Sequence, residues 1–262
     1  MRKLNMAAYL PYKNMGKTCK TREIREKKII WPYREKIVND RFVIRAIDRK
    51  DINQVTELWR ASYPEVYGSI HEWILFPEEY EQKIAFRETW DNDSVHKQHA
   101  IIVCDDIKIN KLVFANLLTK FDLNLHVEAS FFAIHPDFRK GKSDFNIWSE
   151  LNEFYLWMKE SGAEYITVFC ETWQNITQYI WFKQMGWKLA GIFPGSYTRW
   201  CGEQNEYRAC TVHFYKLLNG GEFYSTEPEE WQMLPEIKKL WDCLEEINKA
   251  SDDIALKGYI DM

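Results

Sequence analysis

The chain has 262 residues, of which 46% are hydrophobic, 16% aromatic and 28% charged, and its formal net charge at pH 7 is -4. This composition excludes disordered, collagen-like and low-complexity classes, and the length favours one domain with extensions. The negative net charge argues against a whole-chain nucleic-acid binder, which should be basic.

Charge is distributed unevenly along the chain. Residues 1–41 contain 12 Lys/Arg and 4 Asp/Glu, whereas residues 219–262 contain 4 Lys/Arg and 11 Asp/Glu. We therefore expect a basic N-terminal extension (1–40), a central domain (41–218) and an acidic, helical C-terminal extension (219–262). A basic arm suits RNA or an acidic partner. Pairing with the acidic tail of the same or a neighbouring chain is the simpler explanation, and it would permit a homodimer.

The six cysteines are scattered without a C-x-x-C pair, which is typical of reduced thiols. The opening sequence MRKLNMAAYLPY lacks the apolar core of a signal peptide, and no window approaches ~18 uninterrupted apolar residues. We therefore expect a cytoplasmic protein that does not enter a membrane. His96 and His99 form H-x-x-H, but this spacing alone is a weak metal signal, and no metal site is predicted.

The first elements of the central domain follow from apolar spacing. Residues 42–47 alternate as in an edge strand, and a helix follows whose apolar residues recur at 3.6 spacing. A second helix is predicted over 77–88. Three strand-like runs come next, of which the first two are close enough to form a hairpin, at 99–104, 111–119 and 125–134.

A basic turn, FRKGKSD, then leads into a long helix that ends near Gly162. The continuous apolar run at 165–170 is typical of a strand that is buried on both faces. A helix, two strands and a final helix are predicted beyond it, at 175–185, 187–193, 207–217 and 234–250. This order indicates an α+β fold with a mixed, mostly antiparallel central sheet flanked by helices.

The segment VEASFFAIHPDFRKGKSDFNIW, residues 127–148, is the most informative for function. It joins a strand, a His-Pro stop, a basic turn and a helix N-terminus, where unpaired N–H groups favour phosphate. Three cationic side chains strengthen this preference: Arg139, Lys140 and Lys142. The alternative is a solvated basic turn before a surface helix.

From about residue 41 to 217, the chain resembles the GNAT superfamily of acyl-coenzyme A dependent N-acyltransferases. AIHPDFR is similar to the family's apolar strand that ends in Val/Ile-x-Pro-x-aromatic-Arg. Asn175, followed by Gly186-Trp187, is similar to the family's Asn...Gly-Phe motif. Glu128 lies where several members carry a catalytic glutamate.

The resemblance implies that acetyl-coenzyme A or another acyl-coenzyme A is the co-substrate and that no metal is needed. The pantetheine arm would lie between the strands at 125–134 and 165–170. There it would contact Phe132, Ala133 and Ile134. The pyrophosphate would bind the turn that follows, at Arg139, Lys140, Gly141, Lys142, Ser143 and Asp144. Asn175 and Phe182 would complete the cofactor site.

The turn departs from the family pattern Arg-x-x-Gly-x-Gly/Ala. Lys142 and Asp144 occupy its two small positions, whereas a shift by one residue gives Arg139-x-Gly141-x-Ser143 in a shortened turn. Glycine matters there because a side chain would obstruct the close approach of the backbone. Asp144 would also repel a pyrophosphate.

A second departure concerns the general acid. Many members place a tyrosine four residues before the motif glycine, and here that position is Phe182, whose ring cannot donate a proton. Tyr179, one turn earlier on the same helix, is the predicted substitute. Tyr197 and Tyr207 from the last strands are alternatives.

Glu128 is the predicted general base. In an alternating strand its side chain shares a face with Ser130, Phe132 and Ile134, so it should project toward apolar surroundings beside the cleft. Burial would raise its pKa toward neutrality, which suits proton removal from an acceptor ammonium, directly or through water. An ordinary ion pair near a strand end is the alternative.

These observations predict an acyltransferase that moves an acetyl or short acyl group to a primary amine by direct attack in a ternary complex. A small-molecule or peptide amine is the expected acceptor, and nucleic acid is not an expected partner. The two departures suggest the alternative, a catalytically inactive GNAT-like binding or regulatory module.

Overall fold

The computed structural model describes residues 19–23, 26–139 and 150–258. Within these ranges nine strands form one sheet: β1 (Lys36–Val38), β2 (Phe42–Ala46), β3 (Ile84–Ala85), β4 (His99–Asp106), β5 (Lys111–Phe121), β6 (His126–Ile134), β7 (Tyr165–Glu171), β8 (Lys188–Gly202) and β9 (Asn205–Leu217). The described α-helices are α1 (Ile52–Ser62), α2 (Tyr80–Lys83), α3 (Trp90–His96), α4 (Leu151–Glu160), α5 (Asn175–Tyr179) and α6 (Pro235–Gly258).

The sheet has the order β1-β2-β4-β5-β6-β7-β9-β8, with the short β3 beside β4. Neighbouring strands are antiparallel except for the β3–β4 and β6–β7 pairs, which are parallel. The predicted α+β fold, with a mixed and mostly antiparallel sheet flanked by helices, is therefore confirmed. Among the described residues, no helix is both long and apolar enough to cross a membrane.

The two sides of the sheet carry separate apolar cores. The side that packs on α4, here called the α4 face, includes Ala129, Ile166, Val168 and Phe154. The other side, called the α1 face, packs on α1 and the turns after it, and includes Leu117 and Phe131 together with Val55, Leu58 and Trp59. Helix α1 forms there because its apolar residues recur at helical spacing and line one stripe.

Strands β6 and β7 diverge near the middle of the sheet. Their pairing with each other runs from His126↔Tyr165 to Ala129↔Val168. Beyond that point β6 continues to Ile134 and β7 to Glu171, each paired only with its other neighbour in the sheet. The backbone edges that face each other beyond this point are therefore available to a ligand.

The described part of the N-terminal segment is integrated into the body. Ile29 and Trp31 are fully buried in the core of the α4 face, and β1 pairs with β2, so the sheet begins before residue 41. The buried ammonium of Lys120 donates hydrogen bonds to the carbonyl oxygens of Ile29, Ser94 and Val95 at 2.8 to 3.0 Å. Burial lowers the pKa of Lys120 to about 8.

The C-terminal helix α6 packs on β8, the edge strand of the sheet. Asn248 accepts a hydrogen bond from the backbone N–H of Leu189 at 2.7 Å and donates one to its carbonyl at 3.0 Å. This amide imitates a neighbouring strand, which protects the edge at that point.

Three predicted elements differ in the structure. Over 77–88 the chain forms a 3-10 turn, α2 and β3 instead of one helix, and α3 follows where no helix was predicted. Strand β8 continues to Gly202 through a bulge that accommodates Pro194 and Gly195. Residues of β7 alternate between buried and half-buried because only the α4 face is fully covered, so burial on both faces was wrong.

Candidate active site

A cavity of about 710 Å³ lies where β6 and β7 diverge. Its walls are the diverging ends of the two strands, the end of α1 with the turn after it, and α5. Small-molecule sites in proteins have volumes of ~300–1,000 Å³, so this cavity is large enough for a cofactor arm or a substrate.

The predicted cofactor residues on β6 lie at this cavity. Phe132, Ala133 and Ile134 line it, and so do Arg139 and, from α5, Asn175. Two unpaired strand edges of this kind can hydrogen-bond an extended amide chain as an additional strand does. The cavity therefore fits a pantetheine arm, which is an extended chain with two amide groups.

Other predicted cofactor residues are not brought to the cavity. Phe182 packs into the core of the α4 face, with its ring 6.5 Å from that of Phe214, and does not line the cavity. The chain from Ile180 to Gln184 forms a π-helical turn rather than a continuation of α5. Five predicted residues of the basic turn lie outside the described residues: Lys140, Gly141, Lys142, Ser143 and Asp144.

Arg139 marks the end of β6. Its Nε donates to the carbonyl oxygen of Ile134 at 2.7 Å, and its Nη2 donates to Ser62 Oγ at 3.3 Å. The guanidinium is therefore held beside the carboxyl end of β6 and the last turn of α1, the end of the cavity at which the basic turn begins.

A β-bulge at Phe131 changes the direction of the β6 side chains. Phe131 has a φ of 51°, and the register with β5 shifts between Ala115 and Leu117. Asn116 fills the gap, since its amide donates to the carbonyl oxygen of Ser130 at 2.8 Å. The bulge places Phe131 in the core of the α1 face and Phe132 against the core of the α4 face.

The predicted common face of Glu128, Ser130, Phe132 and Ile134 is therefore wrong. Glu128 is in register with Thr119 and Thr167, and Ser130 with Leu117, so both project from the α1 face. Phe132 and Ile134 project from the opposite face. The extra residue of the bulge shifts the alternation by one position.

Glu128 is half-buried, and burial raises its pKa to about 7. Among the described residues, no group donates a hydrogen bond to its carboxylate or forms an ion pair with it. The alternative prediction, an ordinary ion pair of Glu128, is therefore not met by any residue in the described part of the chain. Glu128 lies beside the cavity rather than in its lining, which begins with the next residue, Ala129.

Aromatic rings cover the α1 face next to Glu128. Tyr197 stacks on Phe169 at 4.7 Å between centroids, and Phe169 in turn stacks on His213 at 5.5 Å. Burial lowers the pKa of three histidines on this side of the sheet to about 4, so they are neutral at pH 7: His71, His99 and His126. Because these imidazoles carry no positive charge at pH 7, they do not lower the pKa of Glu128.

Three buried polar atoms on this side lack a hydrogen-bond partner within the described ranges: Trp59 Nε1, His71 Nε2 and Ser130 Oγ. Ser130 lines the cavity, and the His71 ring lies 5.1 Å from that of Phe131 and 6.0 Å from that of Tyr197. Buried polar groups are almost always paired, so unpaired ones beside a cavity indicate a site that a ligand or water completes.

The tyrosines predicted as general acids differ in location. Tyr179 is 57% exposed and Tyr207 45% exposed, and neither lines the cavity. Tyr197 lies near Glu128, and burial together with the charge of Glu128 raises its pKa to about 12. Of the three, only Tyr197 is close to the candidate base.

Tyr63, which follows α1 directly, lies in the segment SYPEVYG, which the sequence allows as lining of an acceptor pocket, but its hydroxyl was not predicted as a donor. Tyr63 lines the cavity, and its hydroxyl donates to the carbonyl oxygen of Phe132 at 2.7 Å. Burial raises its pKa, so the hydroxyl stays protonated. The only sequence signal was its place in the aromatic-rich segment SYPEVYG after the first helix.

A buried ion pair at the cavity was also missed. Arg199 on β8 donates from Nε to Glu171 Oε1 at 2.6 Å, and Trp173 Nε1 donates to Glu171 Oε2 at 2.8 Å. All three residues line the cavity, as does Glu65, whose pKa is raised mainly by burial. The cavity wall thus carries two carboxylates and one guanidinium in addition to Arg139.

No three His, Cys, Asp or Glu side chains within the described ranges are close enough to share a metal ion. His99 instead bonds Thr119 Oγ1 at 2.9 Å and packs against Trp73.

No protein-family model and no curated protein sequence matches the chain. The chain is similar to solved structures of acetyltransferases, among them the following two. The ribosomal-protein-S5-alanine acetyltransferase from Vibrio fischeri has 10% identity and a TM-score of 0.53, with 71% of this chain and 97% of that chain covered. The spermidine N-acetyltransferase from Vibrio cholerae, solved in complex with CoA and spermine, has 14% identity and a TM-score of 0.51, with 70% and 99% covered. Together with the diverging strands and the order of elements, these similarities show that the chain has the GNAT acetyltransferase fold.

Proposed function

We propose that the protein transfers an acetyl or short acyl group from acyl-coenzyme A to a primary amine, with both substrates bound at once. The observation that supports this most is the cavity between the diverging β6 and β7, with a half-buried Glu128 of pKa about 7 beside it that has no ion-pair partner among the described residues. The wall formed by the diverging ends of β6 and β7 suits the acyl-coenzyme A, and the α1 face suits the acceptor amine.

On the donor side, the backbone of Phe132, Ala133 and Ile134 would bind the pantetheine arm as an additional strand. Arg139 and the turn that follows it would bind the pyrophosphate, and Asn175 would contact the arm from α5. The bound acyl-coenzyme A supplies an activated thioester. The neighbour from Vibrio cholerae, which was solved with CoA, supports this choice of co-substrate.

On the acceptor side, Glu128 would remove a proton from the acceptor ammonium, directly or through one water molecule. A base with a pKa near the working pH combines adequate ionisation with adequate proton affinity, and the pKa of Glu128 meets this condition. The carboxylate of Glu65 at the cavity would attract a cationic amine, whereas that of Glu171 is paired with Arg199. A small-molecule or peptide amine is the proposed acceptor class.

The proposed hydroxyl donor is Tyr63 rather than Tyr179. Tyr179 is exposed and lies outside the cavity lining, whereas Tyr63 presents a protonated hydroxyl beside Phe132. Its single O–H proton is donated to the carbonyl oxygen of Phe132, so the hydroxyl would turn from that carbonyl to the departing sulfur as the sulfur leaves.

The first test is the change in melting temperature on adding acetyl-coenzyme A, with coenzyme A and ADP as comparisons. A ligand at a hundred times its dissociation constant stabilises by ~2.7 kcal/mol, which corresponds to a rise of roughly 5 to 10 °C for a chain of this size. A rise with the thioester but not with ADP supports the donor site. No shift at millimolar ligand contradicts it. An acceptor screen would follow, with small amines, polyamines and peptide N-termini as probes.

A catalytically inactive binding module is the second candidate. Phe182 occupies the position of the family's general acid, and its ring packs against the core and cannot donate a proton. Tyr179, the predicted substitute, is exposed. Both observations favour a protein without catalysis. This candidate predicts acetyl-coenzyme A binding without turnover on any amine. Transfer that is abolished by Glu128→Gln would exclude it.

A further inference from the structure

The hydroxyl of Ser130 is a buried polar group at the cavity. The residue is 5% exposed, and its Oγ has no hydrogen-bond partner among the described residues. Of the three unpaired atoms on the α1 face, only this one belongs to a residue of the cavity lining, since Trp59 and His71 lie outside it. Leaving a buried hydroxyl unpaired costs stability, so we expect a polar group that enters the cavity to complete it.

A second buried serine of the chain shows the contrast. Ser161, directly after α4, is 3% exposed. Its Oγ donates to the carbonyl oxygen of Met158 at 2.7 Å and accepts from the backbone N–H of Ala163 at 3.3 Å. The two serines are similarly buried, but Ser161 Oγ is paired within the described chain and Ser130 Oγ is not. The difference lies in the position of Ser130 at the cavity and not in burial alone.

Ser130 is also the step between Glu128 and the cavity. Both side chains project from the α1 face, two residues apart on β6, and the cavity lining begins after Glu128 and includes Ser130. Same-face neighbours on a strand are ~6.6 Å apart at their Cα atoms. Two successive hydrogen bonds of ~2.8 Å span a similar distance, so one water molecule can bond both side chains at once.

We infer that the Ser130 hydroxyl holds a water molecule that carries the proton from the acceptor amine to Glu128. This inference rests on the proposed acyl transfer. An N–H bond of the ammonium breaks as its proton passes to the water oxygen, and another proton of the same water passes to the Glu128 carboxylate. The water is thereby restored, Glu128 becomes a carboxylic acid, and the neutral amine has an electron pair for attack on the thioester. Ser130 gains and loses no proton, so it is a positioning residue.

The surroundings suit a single oriented water. Buried water molecules make about three hydrogen bonds, and this one would bond Ser130, Glu128 and the acceptor. The adjoining lining on the same face consists of the apolar rings of Phe131 and Phe169. Because these rings offer no competing donor or acceptor, the three polar groups fix the place and orientation of the water.

Ser130→Ala and Ser161→Ala are a matched pair of variants, because each deletes one buried hydroxyl. Ser130→Ala should lower kcat for transfer by roughly 10-fold, less than the loss of the base itself, and leave the KM for acetyl-coenzyme A unchanged. It should not lower the melting temperature, because Ser130 Oγ has no partner among the described residues. Ser161→Ala should do the reverse, with a lower melting temperature and an unchanged kcat.

The basicity of the acceptor separates a proton path from a lost contact. Ethylamine is an ammonium ion at pH 8 and must lose a proton, whereas 2,2,2-trifluoroethylamine is largely neutral at that pH because its fluorines withdraw electrons. Ser130→Ala should therefore lose much of its rate with ethylamine and little with trifluoroethylamine. Equal losses with the two amines would overturn the inference, because a lost contact would affect both.

A crystal structure of the full chain with coenzyme A tests the water without turnover. It should show an ordered water within hydrogen-bond distance of Ser130 Oγ and the Glu128 carboxylate, and Ser130→Ala should lack it. A structure of the unmodified protein without that water, or an unchanged kcat in Ser130→Ala, would overturn the inference and leave the proposed transfer standing. Absence of transfer to any amine would overturn the proposed function, and this inference with it.

Discussion

Where β6 and β7 meet, adjacent residues of the same strands have opposite environments. On the α4 face, Ile166 and Val168 are buried among apolar side chains. On the α1 face, Glu128 and Thr167 are half-buried among aromatic rings and neutral histidines, and Ser130 Oγ lacks a partner among the described residues. One face is arranged to exclude water, and the other keeps polar groups that a ligand can complete. Residues of both faces line the cavity, and the difference between the faces is that the α1 face keeps polar groups beside it.

The largest expected effect is that of Glu128→Gln on transfer. Removal of a general base typically slows an enzyme by ~10²- to 10⁴-fold, and glutamine keeps the size and most polar contacts of the side chain. In the unmodified protein, kcat/KM should rise as pH increases through about 7, because only the carboxylate form of Glu128 accepts a proton. This limb of the pH profile should be missing in the variant.

Acetyl-coenzyme A binding is the control for that experiment. Glu128 does not line the cavity, so the melting-temperature shift with acetyl-coenzyme A should be the same in both proteins. A variant with full activity would show that Glu128 is not the base.

Substitutions at adjacent positions of β7 test the assignment of the two faces directly. Ile166 is fully buried on the α4 face, so Ile166→Ala should lower the free energy of unfolding by about 2 to 5 kcal/mol. Thr167 contributes a hydroxyl that bonds His126 Nε2 at 2.7 Å, so Thr167→Ala should cost only about 0.5 to 1.5 kcal/mol. Denaturant titration measures both. Equal losses would contradict the distinction between the faces.

The sequence predicted much of the α4 face. Hydrophobic periodicity depends on neighbours along the chain, and it located the strands β6 and β7 and the hairpin of β4 and β5, whereas the adjacency of β6 and β7 was implied by the family resemblance. The family resemblance identified Glu128, and strand alternation predicted that its carboxylate would be shielded from solvent. Its environment is as predicted in one respect, because burial does raise its pKa to about 7.

The α1 face was harder to predict because its geometry depends on side chains distant in sequence. The bulge at Phe131 needs the amide of Asn116 on the next strand, and alternation alone cannot reveal it. Tyr63 reaches the cavity only because α1 crosses the end of β6. The Arg199–Glu171 pair joins β8 to β7, and β8 was predicted to end before residue 199.

The carboxyl of Glu128 should also destabilise the fold as it ionises. Its pKa is about 7 in the folded protein and 4.5 ordinarily, so between these values the unfolded chain binds fewer protons than the folded one. Stability therefore falls as pH rises from about 4.5, and the full loss, on the order of 3 kcal/mol, is reached above pH 7. The variant Glu128→Gln has no ionisable group at this position, so its stability does not fall for this reason as pH rises.

Unfolding of the two proteins from pH 4 to pH 8 measures the effect. The variant should be more stable at pH 8, and the difference should disappear near pH 4, where both side chains are neutral. Other titrating groups contribute equally to both and cancel. A difference that is the same at every pH would mean that Glu128 has an ordinary pKa.

The smallest expected effect belongs to Tyr63, which connects the two faces through the bulge. If the Tyr63 hydroxyl turns from the carbonyl of Phe132 to the departing sulfur in the transition state, Tyr63→Phe removes a hydrogen bond of about 0.5 to 1.5 kcal/mol there, equivalent to a roughly 2- to 10-fold loss in kcat. Tyr179→Phe is the matched control and should leave kcat unchanged, because Tyr179 is exposed outside the cavity lining. The opposite result, with Tyr179→Phe impaired and Tyr63→Phe normal, would return the role of hydroxyl donor to α5. That outcome would require the side chain of Tyr179 to turn into the cavity when acyl-coenzyme A binds.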